Sequence, residues 1–158
     1  MRRSKPEALT EADCRQRAVE LLARRDHSRF ELERKLAARG FPPDSITAAL
    51  ADLESRGLLG AARFAGSFVR TRAAKGKGPI RIRTELAERG IETAQAANAL
   101  AAEEVDWVEA ARAVRRKRFG DAPPRDFKER ARQARFLQYR GFDRAQIRAA
   151  LELPDDSD

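Results

Sequence analysis

His27 is the only histidine in a chain of 158 residues, and Cys14 the only cysteine. A Cys/His metal centre needs three or four such ligands and cannot be assembled from one of each. A Ser/His/Asp set would have to be built on His27. That residue stands beside Ser28 at a helix start, where it reads as part of the capping region rather than as a base. Cys14 lies on an apolar helical stripe, where a thiol is ordinarily inert packing, and with one cysteine no internal disulfide forms. Carboxylates are plentiful, but none is paired in a glycine-rich or apolar setting. No catalytic residue, metal or cofactor is expected, and the chain does not read as an enzyme.

A second candidate for chemistry is the run Lys75-Gly76-Lys77-Gly78-Pro79. A phosphate-binding loop of the GxxxxGK[ST] type follows a buried strand and supplies a hydroxyl to magnesium. Here no Ser or Thr follows and no strand precedes, so nucleotide hydrolysis is not expected. A helix beginning at Pro79, with lysines beside it, could still take up a phosphate or carboxylate adventitiously.

The strongest chemical signal is positive charge. The formal net charge is +8 and the sequence pI about 10.5, which points to a polyanionic partner. Residues 1–59 carry twelve basic and ten acidic side chains, residues 60–100 eight and three, and residues 112–148 thirteen and four. The excess therefore lies in the second and third parts of the chain. Arg70, Arg72, Lys75, Lys77, Arg81 and Arg83 form one cluster. Arg112, Arg115, Arg116, Lys117 and Arg118 form a denser one, with Arg135 and Arg140 further on. These thirteen are the candidate contacts to a polyanion or to an acidic protein groove.

The elements that must carry these side chains repeat. "LAARGF" ends at Phe41, "LAERGI" at Ile91 and "LQYRGF" at Phe142, so Gly40, Gly90 and Gly141 stand 50 and 51 residues apart. Six residues past each glycine are Ile46, Ala96 and Ile147, and ten past are Leu50, Leu100 and Leu151. Such a period marks tandem structural units. The expected units are 13–59, 60–106 and 107–153, flanked by a flexible tail at 1–12 and an acidic tail at 154–158.

Each unit reads as three helices. In the first, Cys14, Ala18, Leu21 and Leu22 recur at helical spacing. Ser28 and Glu31 suggest a capping box. Leu32 and Leu36 follow, and Gly40 ends that helix. Pro43 opens a third, lined by Ile46, Ala49, Leu50 and Leu53 and closed by Gly57. The second unit offers Phe64, Phe68, Val69, Leu86 and Leu100. The third offers Trp107, Ala111, Val114, Phe127, Ala131, Ala134, Leu137, Ile147, Ala150 and Leu151. All these apolar positions are expected in the core, Trp107 included. Gly78 lies twelve residues before Gly90, as Ser28 lies twelve before Gly40. The alternating "IRIR" after Gly78 is therefore the first turn of a helix, not a strand.

The expected fold is all-α: three tandem three-helix repeats in an elongated array able to curve, each touching mainly its neighbours. Three-helix units invite a helix-turn-helix reading, but the third helices oppose it. "ETAQAANALAAEEVD" has no basic residue and "PDSITAALADLES" carries acids only, so sequence-specific major-groove reading is not expected. The longest run without a charged residue, Thr93 to Ala102, is ten residues, far short of a membrane span. No secretory signal is visible, and the cytoplasm is the expected location.

The segments "LLARRDHSRFELERKLAARGF", "RFAGSFVRTRAAKGKGPIRIRTELAERGI" and "RFLQYRGF" make the chain resemble the RecX family of bacterial recombination regulators. The likeness spans about residues 15–151 and is most specific in the middle segment. It departs at Gly60-Ala61-Ala62, where acidic residues are common in the family, and in the lengthened "GDAPPRD" loop. The resemblance implies an all-helical modulator that binds the filament of the RecA recombinase in its groove. It implies inhibition of the recombinase's ATP hydrolysis, strand exchange and coprotease function, and a place in recombinational repair and the SOS response. It also implies no enzyme activity and, in some members, direct contact with single- or double-stranded DNA. A monomer is expected. The competing reading is a basic helical module that binds DNA without any recombinase.

Overall fold

The computed structural model describes residues 9–152, and among these the regular structure consists of nine helices with no strand. The expected flexible tails fall mostly outside the described residues. Of the first twelve positions, Thr10 already caps a helix that begins at Glu11, two residues ahead of the expected unit boundary. The chain forms two compact units, one of residues up to Phe64 with Arg89–Ile91, the other of Ala65–Glu88 with Glu92 onward.

In the first unit, α1 (Glu11–Arg24), α2 (Arg29–Ala38) and α3 (Pro43–Ser55) pack against one another. Cys14, Ala18 and Leu21 of α1 meet Leu32 and Leu36 of α2 and Ile46, Ala49, Leu50 and Leu53 of α3, all buried. Fully burying a leucine or isoleucine contributes about 1.5–3 kcal/mol, so this cluster holds the unit together. Burial, reinforced by the Glu11 carboxylate, pushes the Cys14 thiol up from its ordinary value, which keeps it protonated and inert.

Only half of the expected capping box at Ser28 forms. The Ser28 hydroxyl accepts the Glu31 amide at 3.1 Å. The Glu31 carboxylate turns instead to Arg25 at 2.8 Å, because an ionised donor is the stronger partner. His27 is buried, with Nδ1 2.9 Å from the Arg25 carbonyl and Nε2 2.9 Å from Lys35 Nζ. A protonated lysine can only donate, so Nε2 is the acceptor and Nδ1 carries the proton. The ring ties the α1–α2 turn to α2, a structural role.

In the second unit lie α4 (Ala61–Ala74, its first turn in the other unit), α5 (Pro79–Glu88), α6 (Thr93–Ala102), α7 (Trp107–Phe119), α8 (Phe127–Arg140) and α9 (Arg144–Leu151). The nine helices thus form three successive triplets. Pro79 opens α5, and the Gly78 carbonyl accepts the Ile82 amide, so "IRIR" is helical as its register requires. Ile82 and Leu86 of α5, Val69 of α4, and Ala96 and Leu100 of α6 are buried. Ala111 and Val114 of α7, Leu137 of α8 and Ala150 and Leu151 of α9 form the last core cluster, with Trp107 packed against it.

Phe127 corrects one expectation. It is 82% exposed, not core. The interior beneath α8 is partly polar: Gln133 is buried and accepts a hydrogen bond from buried Arg115 at 3.3 Å. The first turn of α8, which Asp126 caps through the Glu129 amide, reaches beyond that core and carries Phe127 into solvent.

Candidate functional site

The geometry starts from a contact between two turns. The Gly78 amide, at the start of α5, donates to the Arg140 carbonyl at 2.8 Å, and the Ile80 amide donates to the Gly141 carbonyl at 2.9 Å. Two of the orphan donors at the N-terminus of α5 are thereby taken up by the α8–α9 turn. The adventitious phosphate site considered at this terminus is not supported. Gly78 is there for space: a Cβ on it would drive into the backbone of Gly141 and lie 2.5 Å from the Phe142 nitrogen. Gly141 adopts φ +100° as the left-handed cap of α8, and a Cβ there would lie 2.7 Å from the Arg81 nitrogen.

Around this contact the candidate cations divide into three groups. The first is built around Glu85. Lys77 Nζ lies 2.9 Å from Glu85 Oε1, Arg72 Nε 3.6 Å from Oε2 and Arg81 Nε 3.7 Å from Oε1. Burial pushes the Glu85 carboxyl up, but the Lys77 hydrogen bond and the charges of Lys77, Arg72 and Arg81 outweigh it and hold it below its ordinary value. Arg72 also lies over the Phe68 ring at 4.7 Å, and Arg81 over Tyr139 at 5.2 Å while donating to the Tyr139 carbonyl. Three prominent cations of the middle segment therefore have structural partners. Lys77 and Arg72 are only 17% and 24% exposed.

The second group is paired at the surface. Arg70 meets Glu103 at 2.6 Å, an approach open because Gly66 leaves room for the carboxylate against α4. Arg116 meets Glu109 at 2.7 Å. Arg112 lies 3.8 Å from Glu109 and donates to the Ala149 carbonyl. Such surface pairs contribute little to stability.

The third group has no carboxylate within ion-pair distance among the described residues: Lys75, Arg83, Lys117, Arg118, Arg135 and Arg140. All but Arg140 are exposed. Arg118 and Arg140 lie against the Phe136 ring at 6.0 and 5.7 Å. Arg115 is corrected out of the contact set. It is 7% exposed, and its guanidinium donates to the Ala122 and Asp121 carbonyls and to Gln133. It pins the lengthened "GDAPPRD" loop to the core.

Sequence reasoning missed Glu85, Glu103 and the Gly78–Gly141 approach. The i, i+4 spacing of Arg81 and Glu85 was a visible signal. The pairings of Glu85 with Arg72 and of Glu103 with Arg70 join residues far apart in the chain and left none. Among the described residues no three or more metal-ligating side chains gather in one place. Nor is any helix among them long and apolar enough to cross a membrane.

Comparisons with known proteins add the family. Residues 14–53, 62–100 and 104–151 match, in turn, the first, second and third three-helix domains of RecX. A regulatory protein RecX of Halorhodospira halophila is 48% identical over 144 residues, covering 91% of this chain and 89% of its own. That of Chromohalobacter salexigens is 49% identical over 141 residues, covering 89% and 92%. The crystal structure of RecX from Lactobacillus salivarius superposes with a TM-score of 0.76 at 23% identity, covering 90% of this chain and 94% of that one, and shares the fold.

Proposed function

Because the chain belongs to the RecX family, we propose that it binds the RecA nucleoprotein filament as a negative modulator, inhibiting ATP hydrolysis, strand exchange and coprotease activity. The observation that carries this reading is the relationship over nine-tenths of the chain to proteins named as RecX regulators. The charge distribution supports it. Lys75, Arg83, Lys117, Arg118 and Arg135 are exposed on α4–α5, α7 and α8 without carboxylate partners among the described residues. They suit recombinase carboxylates or the phosphates of bound DNA. In the first two triplets the acids-only α3 and the uncharged α6 offer no recognition helix for bases.

The mechanism is one of differential affinity. A ligand that binds one filament state more tightly than another shifts the filament toward that state and blocks the transitions that turnover needs. Contacts spread over neighbouring recombinase subunits multiply individually weak attractions. The protein acts as a monomer in the cytoplasm and supplies no catalytic group.

The test is ATP hydrolysis by the cognate RecA on saturating single-stranded DNA, with this protein added at substoichiometric levels. Inhibition well below one molecule per recombinase supports action on the filament. No inhibition, or inhibition reversed by extra DNA, refutes it in favour of a stand-alone DNA-binding module.

A further inference from the structure

Between the end of α4, one face of α7 and the last turns of α8 lies a surface groove of about 560 Å³, wholly within the second compact unit. Its floor is made of small and apolar side chains: Ala73, Ala110, Ala113, Val114 and Phe136. Ala110, Ala113, Val114 and Lys117 stand at i, i+3, i+4 and i+7, so they form a single stripe along α7. The rim is entirely cationic, with Lys75, Lys117, Arg118 and Arg140 and no carboxylate. The Nε of Arg140 is buried there without a hydrogen-bond partner.

We propose that this groove is a docking site for an amphipathic, acidic α-helix of a partner protein. Three observations choose that occupant. The alanine floor lets a helix approach closely and receives apolar side chains at helical spacing, the pattern of helix-in-groove recognition. The four rim cations, none paired with a carboxylate among the described residues, complement glutamates or aspartates flanking that apolar stripe. A nucleic-acid strand fits less well. The one aromatic ring in the groove, Phe136, already makes a T-shaped contact with Phe119 at 5.3 Å and lies near the guanidiniums of Arg118 and Arg140, so a stacking base would compete with those partners. The inference stands on the groove alone and does not depend on the recombinase reading.

The probe is a fluorescein-labelled helical peptide with leucines at i, i+4 and i+7 and glutamates beside them, titrated with the full chain and followed by anisotropy. A scrambled peptide of the same composition is the control. The expected result is binding at least tenfold tighter for the amphipathic peptide. Ala113→Trp should lower that affinity at least tenfold with helicity unchanged, since Ala113 is exposed and lies on a helix. Lys117→Glu/Arg118→Glu should lower it as far, and Arg24→Glu, an exposed position of α1 that does not line the groove, should leave it unchanged. Equal binding of the two peptides, or indifference to Ala113→Trp, overturns the proposal. A single-stranded oligonucleotide whose binding is lost in Ala113→Trp, while the peptide's is not, gives the groove to nucleic acid. Peptide affinity rising tenfold when the chain is ended after Glu152 gives it to the chain's own acidic end.

Discussion

The Gly78 amide donates to the Arg140 carbonyl at 2.8 Å, joining the α4–α5 turn to the α8–α9 turn. Two backbones meet there because neither Gly78 nor Gly141 carries a side chain. A methyl group on Gly78 strikes backbone rather than a movable side chain, so the contact cannot relax by rotamer change. Gly78→Ala should therefore cost about 2–3 kcal/mol, in the range of overpacked sites, seen as a lower denaturant midpoint. Gly141→Ala should cost a similar amount, from its φ of +100° and its approach to Arg81. Because both break one contact, the double variant should lose clearly less than the sum.

Glu85 gathers Arg72, Lys77 and Arg81 and is held below its ordinary carboxyl value of 4.5. The unfolded chain therefore takes up the proton first as pH falls. Its stabilisation is complete above about pH 4.5 and is lost as pH drops through the folded value. Glu85→Gln should cost about 1.5–3 kcal/mol at neutral pH, as for hydrogen bonds to charged groups. The difference from the unaltered protein should shrink in acid, which thermal melts across pH 3–7 will follow.

His27 behaves in the opposite charge sense. Burial, then the charges of Arg25 and Lys35, hold its proton affinity below the ordinary 6.5 against the raising influence of the Arg25 carbonyl and Glu31. The folded chain keeps a neutral ring while the unfolded chain protonates. Stability should thus fall as pH drops below about 6.5, until the folded ring also protonates. In His27→Gln this part of the pH dependence should vanish, with a small constant loss of stability in its place.

Arg72 and Lys77 face Glu85, so reversing them sets acid against acid and damages the fold. The informative charge reversal is Lys75→Glu, Arg83→Glu, Lys117→Glu, Arg118→Glu and Arg135→Glu. This variant should keep the circular-dichroism spectrum of the unaltered protein and lose at least tenfold in recombinase inhibition. Full inhibition with unchanged salt dependence would remove this surface from the mechanism.

Gly60 accepts the Phe64 amide at the start of α4, whose first turn holds no acidic residue. A Cβ there meets nothing within 4 Å. Gly60→Asp should supply both a capping oxygen and a favourable charge for the helix dipole, raising stability by about 0.5 kcal/mol. A small upward shift in melting temperature is the readout.

Local chemistry made much of the molecule legible in the sequence. The stripe from Cys14 to Leu21, the cap at Ser28, the left-handed Gly40 and Gly141 and the register of Gly78 are set by neighbours within a turn or two. Periodicity and backbone permissiveness determine such features before any tertiary contact exists. The three repeats and the net positive charge followed from the same reading.

The tertiary structure decided which cations are available. Arg115 and Lys117 are two residues apart on one helix, yet one is buried beneath a loop and the other is open to solvent. Glu85 draws in Arg72 through a contact between α4 and α5, and Gly78 matters for the backbone of Gly141, sixty-three positions away. Net charge is additive along a chain and can be counted from it. Burial and pairing depend on which distant segments meet, and only the packed helices determine that.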